Sequence, residues 1–271
     1  MLNKHHDNRV GEYRNVRIGA IALALMAMLF PAFTANRVEA APLSANKQNV
    51  TPEEVTENVN DLIGETVTVR GEVGQVIDDV TFTITDDEFF GGDEILVVNA
   101  TGRPFSFPTD DAEIQVTGEV RQFKAFDFNR DFGLDLQPDT EYEERPTIVA
   151  QSMALAPDPG EITANPSLYY GQPIALEGEV EEIMGANAFT LDDDELLDGG
   201  NLLVLIPNPQ QTISDGERVV VTGQVRPFVA AEIERDFDFT WDAGLQRQLE
   251  TEYSNRPVFI ADKVYTYTSD Q

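Results

Sequence analysis

The residues best suited to chemistry are carboxylates, which are concentrated in two short acidic stretches. Residues 86–94 read Asp-Asp-Glu-Phe-Phe-Gly-Gly-Asp-Glu, and residues 192–200 read Asp-Asp-Asp-Glu-Leu-Leu-Asp-Gly-Gly. Carboxylate oxygens at this density could bind a hard cation such as calcium. The candidate ligands are Asp86, Asp87, Asp93, Asp192, Asp193, Asp194 and Asp198. Their spacing does not match an EF-hand loop, and a solvated hairpin tip explains the same residues. We therefore predict no cofactor, and expect calcium to bind weakly if it binds at all.

Histidine and cysteine usage excludes several classes of enzyme. The chain has no cysteine, and its two histidines are His5 and His6. A Ser-His-Asp triad, a Cys-His pair and a typical zinc site are unavailable to the rest of the chain. A carboxylate pair could still act on a glycosidic bond, but no particular pair stands out among 49 acidic residues. We predict a non-enzymatic binding module with no catalytic residues. A glycoside-type hydrolase and a calcium-dependent structural or adhesion protein are the alternatives.

Arginine and aromatic side chains form two further recurrent sets. The arginines occur in three pairs, Arg121 with Arg226, Arg130 with Arg235 and Arg145 with Arg256. They are expected to pair with the abundant carboxylates, and an anion pocket is the alternative. The aromatic set is interleaved with aspartates and comprises Phe123, Phe126, Phe128, Phe132, Phe228, Phe237, Phe239 and Trp241. A cap over the core is the favoured role for these rings, and a sugar- or peptide-binding patch is the alternative.

Net charge restricts the expected partners. The chain carries 18 basic and 49 acidic residues, a formal net charge of −31. Such a field repels polyanions and anionic membrane surfaces at long range. The charge therefore predicts no nucleic-acid partner and favours a protein, neutral or cationic ligand. We expect no stable membrane anchor once the leader described below is cleaved.

The first 40 residues have the pattern of a secretory signal peptide. Basic residues Lys4, Arg9, Arg14 and Arg17 precede an apolar run at 18–33, and Val38-Glu39-Ala40 supplies small residues for cleavage. We predict cleavage after Ala40 and a periplasmic or extracellular protein. An uncleaved anchor is the alternative, because the run is only slightly shorter than a bilayer-spanning helix.

The elements that must position these residues occur twice. Residues 64–73 read Gly-Glu-Thr-Val-Thr-Val-Arg-Gly-Glu-Val, and residues 171–180 read Gly-Gln-Pro-Ile-Ala-Leu-Glu-Gly-Glu-Val, with both glycines repeated 107 residues later. Phe82 recurs as Phe189 at the same distance. The repeat predicts a signal peptide at 1–40, a linker at 41–50, one domain at 51–156, a linker at 157–160 and a second domain at 161–271.

Each repeat predicts five strands and small helices. Alternating apolar residues mark the strands, and two long strands in each copy contain an internal glycine, typical of a bend or bulge. This pattern resembles the OB-fold superfamily, specifically uncharacterised secreted bacterial proteins whose units carry a Gly-x-x-Val-x-Val-x-Gly-Glu-Val strand followed by Phe-Thr-Leu-x-Asp. The resemblance implies an all-β chain with small helices, arranged as two tandem five-stranded OB-like Greek-key barrels. It implies a generic binding role and transfers no site residues.

Overall fold

The computed structural model describes residues 49–86, 94–136, 142–192 and 201–266. The predicted signal peptide and its cleavage site lie outside these ranges, as do residues 87–93 and 193–200 of the acidic stretches. We call residues 49–156 the first half and residues 157–266 the second half.

Short helices and longer strands alternate along the described chain. The first half contains β1 (Asn49–Val50), α1 (Pro52–Glu57), α2 (Val59–Leu62), β2 (Thr66–Val76), β3 (Thr81–Thr85), β4 (Ile95–Asn99), β5 (Glu113–Gln122), α3 (Ala125–Phe132) and β6 (Pro146–Leu155). The second half contains α4 (Pro159–Ala164), a 3-10 turn (Pro166–Leu168), β7 (Ile174–Gly185), β8 (Ala188–Asp192), β9 (Leu202–Leu205), β10 (Arg218–Pro227), α5 (Ala230–Phe237), α6 (Ala243–Glu252) and β11 (Pro257–Thr266). Helix α6 follows α5 in the second half, whereas α3 is the single described helix between β5 and β6 in the first half.

Five strands of the first half close into a barrel. Strand β2 pairs with β3, β3 with β4, β4 with β6, β6 with β5, and β5 with β2 again. All of these pairs are antiparallel except β4 with β6, which is parallel. The mostly β, five-stranded barrel predicted from the sequence is therefore confirmed. Strands β7, β8, β9, β11 and β10 of the second half pair in the same cyclic order.

Two of the glycines expected to bend strands lie at bulges. The pairing register shifts between Thr117 and Gly118, and again between Thr222 and Gly223. A Cβ atom on Gly118 would collide with the carbonyl oxygen of Val149, and one on Gly223 with that of Ile260. Only glycine allows the neighbouring backbone this close, so the strand can bend around the barrel.

Strands β4 and β9, which occupy matching places in the two halves, are buried on both faces. In β4, Ile95 and Val97 point into the barrel, whereas Leu96 and Val98 face outward. The outward face is covered by α3 through Phe128, so residues 95–98 of the strand are all apolar. Strand β9 repeats this arrangement beneath α5 and α6.

The two halves share part of their apolar interior. Ala112 and Leu155 belong to the cluster inside the second half, and the loop residues Phe105 and Phe107 pack against both interiors. Leu155 also pairs in parallel with Ile174. The halves are therefore joined by side-chain packing as well as by the covalent connection.

Alternating charges cross the junction between the halves. A guanidinium nitrogen of Arg70 lies 2.9 Å from a Glu113 carboxylate oxygen, and another lies 3.7 Å from Glu177. Glu177 in turn accepts a 2.8 Å hydrogen bond from Arg218. The repeat places Glu177 where the first half has Arg70, and Arg218 where it has Glu113. The same cross-strand ion pair thus occurs in both halves with its charges exchanged.

In the part of the chain that the structure describes, no helix is long and apolar enough to cross a membrane.

Candidate functional site

A cleft of about 470 Å³ opens at one end of the second half. We call it the open cleft. Its lining residues are Ile183, Gly185, Ala186, Phe189, Ile206, Pro209, Gln210, Gln211, Thr212 and Ile213. Its volume lies in the range typical of small-molecule sites.

Local strand geometry fixes the apolar floor of the open cleft. Phe189 is 2% exposed and lies on β8, and Ile206 is 4% exposed and follows β9 directly. The turn after β7 is held to Ile206 by two hydrogen bonds, since the Ile206 amide donates to the Asn187 carbonyl and the Asn187 side-chain amide donates to the Ile206 carbonyl. These bonds keep the turn at residues 185–187 beside the end of β9.

The rim of the open cleft is a polar loop with uncharged side chains. Gln210, Gln211 and Thr212 are exposed, whereas Ile213 is half-buried against the interior of the second half. The Gln211 side chain donates a 3.1 Å hydrogen bond to the Val264 carbonyl of β11, which anchors the loop. The site therefore combines an apolar floor with amide and hydroxyl groups that can bond a ligand.

A smaller cleft of about 260 Å³ adjoins the open cleft on the β11 side of this loop. Asp262, Lys263, Val264 and Tyr265 line it together with the loop residues. We call it the side cleft. It is the part of the site that contains charged side chains.

The matching position in the first half is filled. Phe107 contacts Phe82 edge-on, with ring centroids 5.0 Å apart, and Phe105 lies 5.5 Å from Phe107. Phe82 corresponds to Phe189 in the repeat. The loop between β9 and β10 is shorter than the loop between β4 and β5. In the shorter loop, Ile213 corresponds roughly to Phe107, and a glutamine or threonine corresponds roughly to Phe105. Smaller and more polar side chains therefore leave the cleft open.

Sequence reasoning missed this site. The loop at 206–213 has no charge cluster, no catalytic residue type and no periodic pattern. A signal was nevertheless present, because aligning the two copies sets Phe105 and Phe107 against smaller or polar residues.

The acidic candidates are only partly within the described residues. Asp87, Asp93, Asp193, Asp194 and Asp198 lie outside them. Asp86 accepts a 3.3 Å hydrogen bond from the Glu53 backbone amide, and Asp192 ends β8. Across the described ranges, no group of three or more histidine, cysteine, aspartate and glutamate residues could hold a metal ion. Calcium binding by the acidic stretches stays a prediction.

Five of the six recurrent arginines lie beside carboxylates or aromatic rings. Arg121 donates a 2.8 Å hydrogen bond to Glu119, which is the main cause that raises the pKa of Arg121 above its ordinary value. Its guanidinium also stacks over Phe132 at 5.4 Å. Arg226 donates to Asp236 at 2.8 Å and stacks over Phe237 at 5.5 Å. Arg130 and Arg235 likewise pair with adjacent aspartates, and Arg145 lies over the Tyr142 ring at 5.5 Å. These contacts favour the structural interpretation over an anion pocket.

The aromatic set packs as a cap, with one exception. Phe123 and Phe128 cover the outward face of the first half, and Phe237, Phe239 and Trp241 cover that of the second. Phe126 is 78% exposed on α3. Apart from Phe126, the rings serve the interior and are not aligned as a stacking surface.

Comparisons with known proteins give structural matches only. No protein-family model and no curated protein matches the chain. A candidate aspartyl-tRNA synthetase from Leishmania major Friedlin is 12% identical, with a TM-score of 0.27. The single-stranded DNA binding protein of Thermus aquaticus is 9% identical over 76% of this chain and 94% of that chain, with a TM-score of 0.20. An aspartyl tRNA synthetase from Entamoeba histolytica is 8% identical over 79% of this chain, with a TM-score of 0.24.

These matches cover parts of longer proteins in two cases. The Leishmania match spans 43% of this chain and 23% of that chain, and the Entamoeba match spans 59% of that chain. The evidence for an OB-type barrel is the set of strand pairings in the first half, not these matches. Secretion from a bacterium and the tandem arrangement stay predictions.

The exclusion of a nucleic-acid partner is corrected by the same comparison. The prediction of no nucleic acid used the net charge of the whole chain, yet the matched structures include a single-stranded DNA binding protein and a tRNA synthetase. A total charge averages over the surface, so it does not determine the field at any one groove. The exclusion is therefore withdrawn.

Proposed function

We propose that this chain is an exported, acidic, non-enzymatic binding protein made of two tandem OB-like barrels, with the open cleft as its ligand site. One observation carries the proposal. The same position is filled by Phe105 and Phe107 in the first half, whereas in the second half it is an accessible cleft of about 470 Å³.

The lining of the open cleft suits an uncharged ligand that contains a ring. Ile183 and Ile213 offer accessible apolar contact, and Gln210 and Gln211 offer hydrogen-bond donors and acceptors. A charged ligand would find no opposite charge among the described lining residues of the open cleft. An apolar lining with a few uncharged polar groups is the usual composition of a small-molecule site.

The lining supports binding over glycoside hydrolysis. A carboxylate mechanism needs two acidic side chains roughly 5–9 Å apart on either side of the scissile bond. Among the described residues that line the open cleft and the side cleft, Asp262 alone carries a carboxylate.

Two features support the tandem arrangement and export. The second half repeats the strand order of the first, and the exchanged ion pairs Arg70–Glu113 and Glu177–Arg218 lie at matching positions. Export rests on the basic, apolar and small-residue order of residues 1–40.

A thermal-shift screen with uncharged aromatic amides tests the site. A ligand that binds only the folded state raises the melting temperature. We expect several amides to raise that of the full chain and to leave an Ile213→Phe variant unshifted, because the added ring fills the cleft as Phe107 fills its counterpart. Equal shifts in both proteins, or none in either, would contradict the proposed site.

A further inference from the structure

We propose that the outer edge of β11 at residues 264–266 binds an extended segment of a partner protein as an added parallel strand. This edge borders the side cleft, and the segment that it fits contains a proline followed by an aliphatic residue. The inference concerns a protein partner and goes beyond the small ligand proposed for the open cleft.

The first half shows the same edge with a strand on it. At the end of β6, the Leu155 amide donates a 2.9 Å hydrogen bond to the Pro173 carbonyl, and Leu155 pairs in parallel with Ile174 at the start of β7. Ala154 packs against Ala175 beside this pair. The end of β6 is therefore a docking edge for an incoming parallel strand.

Thr266 of β11 is the counterpart of Leu155. Thr266 pairs with Val219 of β10, and Leu155 pairs with Ile114 of β5. Val219 and Ile114 occupy the same place before the glycine at the bulge of their strand. The two ladders therefore match residue by residue at this end of each half.

The ladder turns the Thr266 amide toward the outer edge. In an antiparallel pair, the amide and carbonyl of a residue point to the same side, and that side alternates along the strand. The Leu155 amide bonds a residue outside its own ladder, so the Thr266 amide likewise points away from β10. Val264 has the same orientation, and its carbonyl accepts the Gln211 side-chain amide from the outer side. The edge thus presents backbone donors and acceptors to an added strand.

The outer edge of β11 is less covered than that of β6. Residues 153–155 of β6 are buried, whereas residues 264–266 of β11 are half-buried. Within the described residues, β9 pairs with β11 only at Phe259 and Ile260, so no described strand lies beside the edge beyond them. The side cleft of about 260 Å³ lies along this part of β11. An exposed strand edge is a template for pairing with another chain.

A partner protein fits this edge better than a second copy of the chain. The strand of another copy that corresponds to β7 is β2, whose matching edge is already paired with β1 through Asn49 and Val50. A second copy would have to displace β1 in order to dock, whereas a separate extended segment would not. The net charge of −31 favours an uncharged or cationic segment over an acidic one.

Backbone geometry favours proline in the segment. In a parallel ladder, the residue whose carbonyl accepts from Thr266 would also direct its own amide at the Val264 carbonyl. Proline has no amide, so the Gln211 bond to Val264 can persist when the segment binds. The first half has this order, with Pro173 followed by the paired residue Ile174. The segment therefore reads proline and then an aliphatic residue that pairs with Thr266.

The probe is a fluorescein-labelled peptide amide, Tyr-Gly-Gln-Pro-Ile-Ala-Leu, the sequence of residues 170–176, titrated into the full chain by fluorescence anisotropy. We expect saturable binding. Thr266→Pro should weaken it about tenfold or more, because proline removes the outward amide that bonds the probe's proline carbonyl. Thr266→Ala is the matched control, since it keeps that amide, and its affinity should be unchanged.

A second probe keeps the test independent of how Thr266→Pro folds. N-methylation of the probe's alanine removes the amide that donates to the Thr266 carbonyl, so this analogue should bind the unaltered chain about tenfold more weakly. Equal binding of the two probes, equal binding by the two variants, or no saturable binding would overturn the inference. If sedimentation shows that the full chain self-associates and that Thr266→Pro separates the copies, a second copy covers the edge and the partner inference is wrong.

Discussion

Glu161 is an exposed residue whose carboxyl group nevertheless lies in surroundings that oppose its charge. It lies on α4, and the Tyr169 hydroxyl donates a 3.3 Å hydrogen bond to it. Lost hydration raises the pKa of Glu161 above the ordinary value, and nearby Asp158 and Asp111 add repulsion, while the Tyr169 bond works in the opposite direction. Burial also raises the pKa of Tyr169, so this hydroxyl stays protonated at neutral pH and remains a donor.

Replacing Glu161 by glutamine should stabilise the protein at neutral pH. A carboxyl whose pKa is higher in the folded than in the unfolded state contributes stability below its ordinary value of 4.5, and that contribution is lost as pH rises through the folded value. Glutamine keeps an acceptor for Tyr169 and carries no charge. Thermal melts should therefore give a higher melting temperature for Glu161→Gln at pH 7, with the difference closing below about pH 4.

Glu57→Gln is the matched control, since it also removes one negative charge from an exposed residue, in this case on α1. A similar pH-dependent gain in this control would show that total charge, and not the setting of Glu161, causes the effect.

Helix α3, which follows β5, and helix α5, which follows β10, each cover the outer face of the neighbouring strands. Helix α3 buries Phe128 and Ala125 against the outward residues of β4 and β6, and α5 does the same through Ile233. The second half also has α6, whose Leu249 joins the same cluster. These lids explain why β4 and β9 have no polar face.

Two phenylalanines of α3 provide a direct test of this packing. Phe128 is 2% exposed, and Phe126 on the same helix is 78% exposed. Phe128→Ala should lower the free energy of unfolding by about 3–5 kcal/mol, the usual cost of removing a buried ring. Phe126→Ala should change it by less than about 0.5 kcal/mol. Chemical denaturation measures both, and equal losses would show that α3 is not seated as described.

The sequence largely predicted whether each segment is a helix or a strand, but it predicted less well which face of the segment is buried. Alternation in residues 66–73 and the glycines at 118 and 223 predicted strands and bends because both depend on local sterics. The helical stretch at residues 52–62 is divided at Asn58, which caps the end of α1 and the start of α2. The exposure of Phe126 depends on which side of α3 meets the barrel wall, and composition does not contain that information.

At the scale of the whole molecule, the two halves of the described chain share an apolar seam. Each half has its own ring of paired strands, yet Ala112, Phe105, Phe107 and Leu155 of the first half pack into the second. The open cleft is recognised by comparing the two halves, because Phe105 and Phe107 fill the same place in the first half. The charges and motifs of one copy alone do not reveal it.

Separated halves should fold but differ in stability. We expect fragments 41–157 and 158–271 each to unfold cooperatively, since each keeps its own strand pairings. The second fragment should melt below the full chain, because it exposes Ile174 and the surface that Leu155 covers. Calorimetry of both fragments measures this. Absence of a cooperative transition in both would show one indivisible unit and a wrong domain boundary.

The open cleft as a ligand site is tested most directly by amide chemical-shift mapping of the isotope-labelled full chain titrated with N-acetylphenylalanine amide. This probe is uncharged, carries one ring and has two peptide groups for the rim glutamines. We predict saturable shifts concentrated in residues 183–189 and 206–213, with residues 100–112 of the first half unchanged. Shifts spread evenly over both halves, or none up to the solubility of the probe, would contradict the assignment of the open cleft as the ligand site.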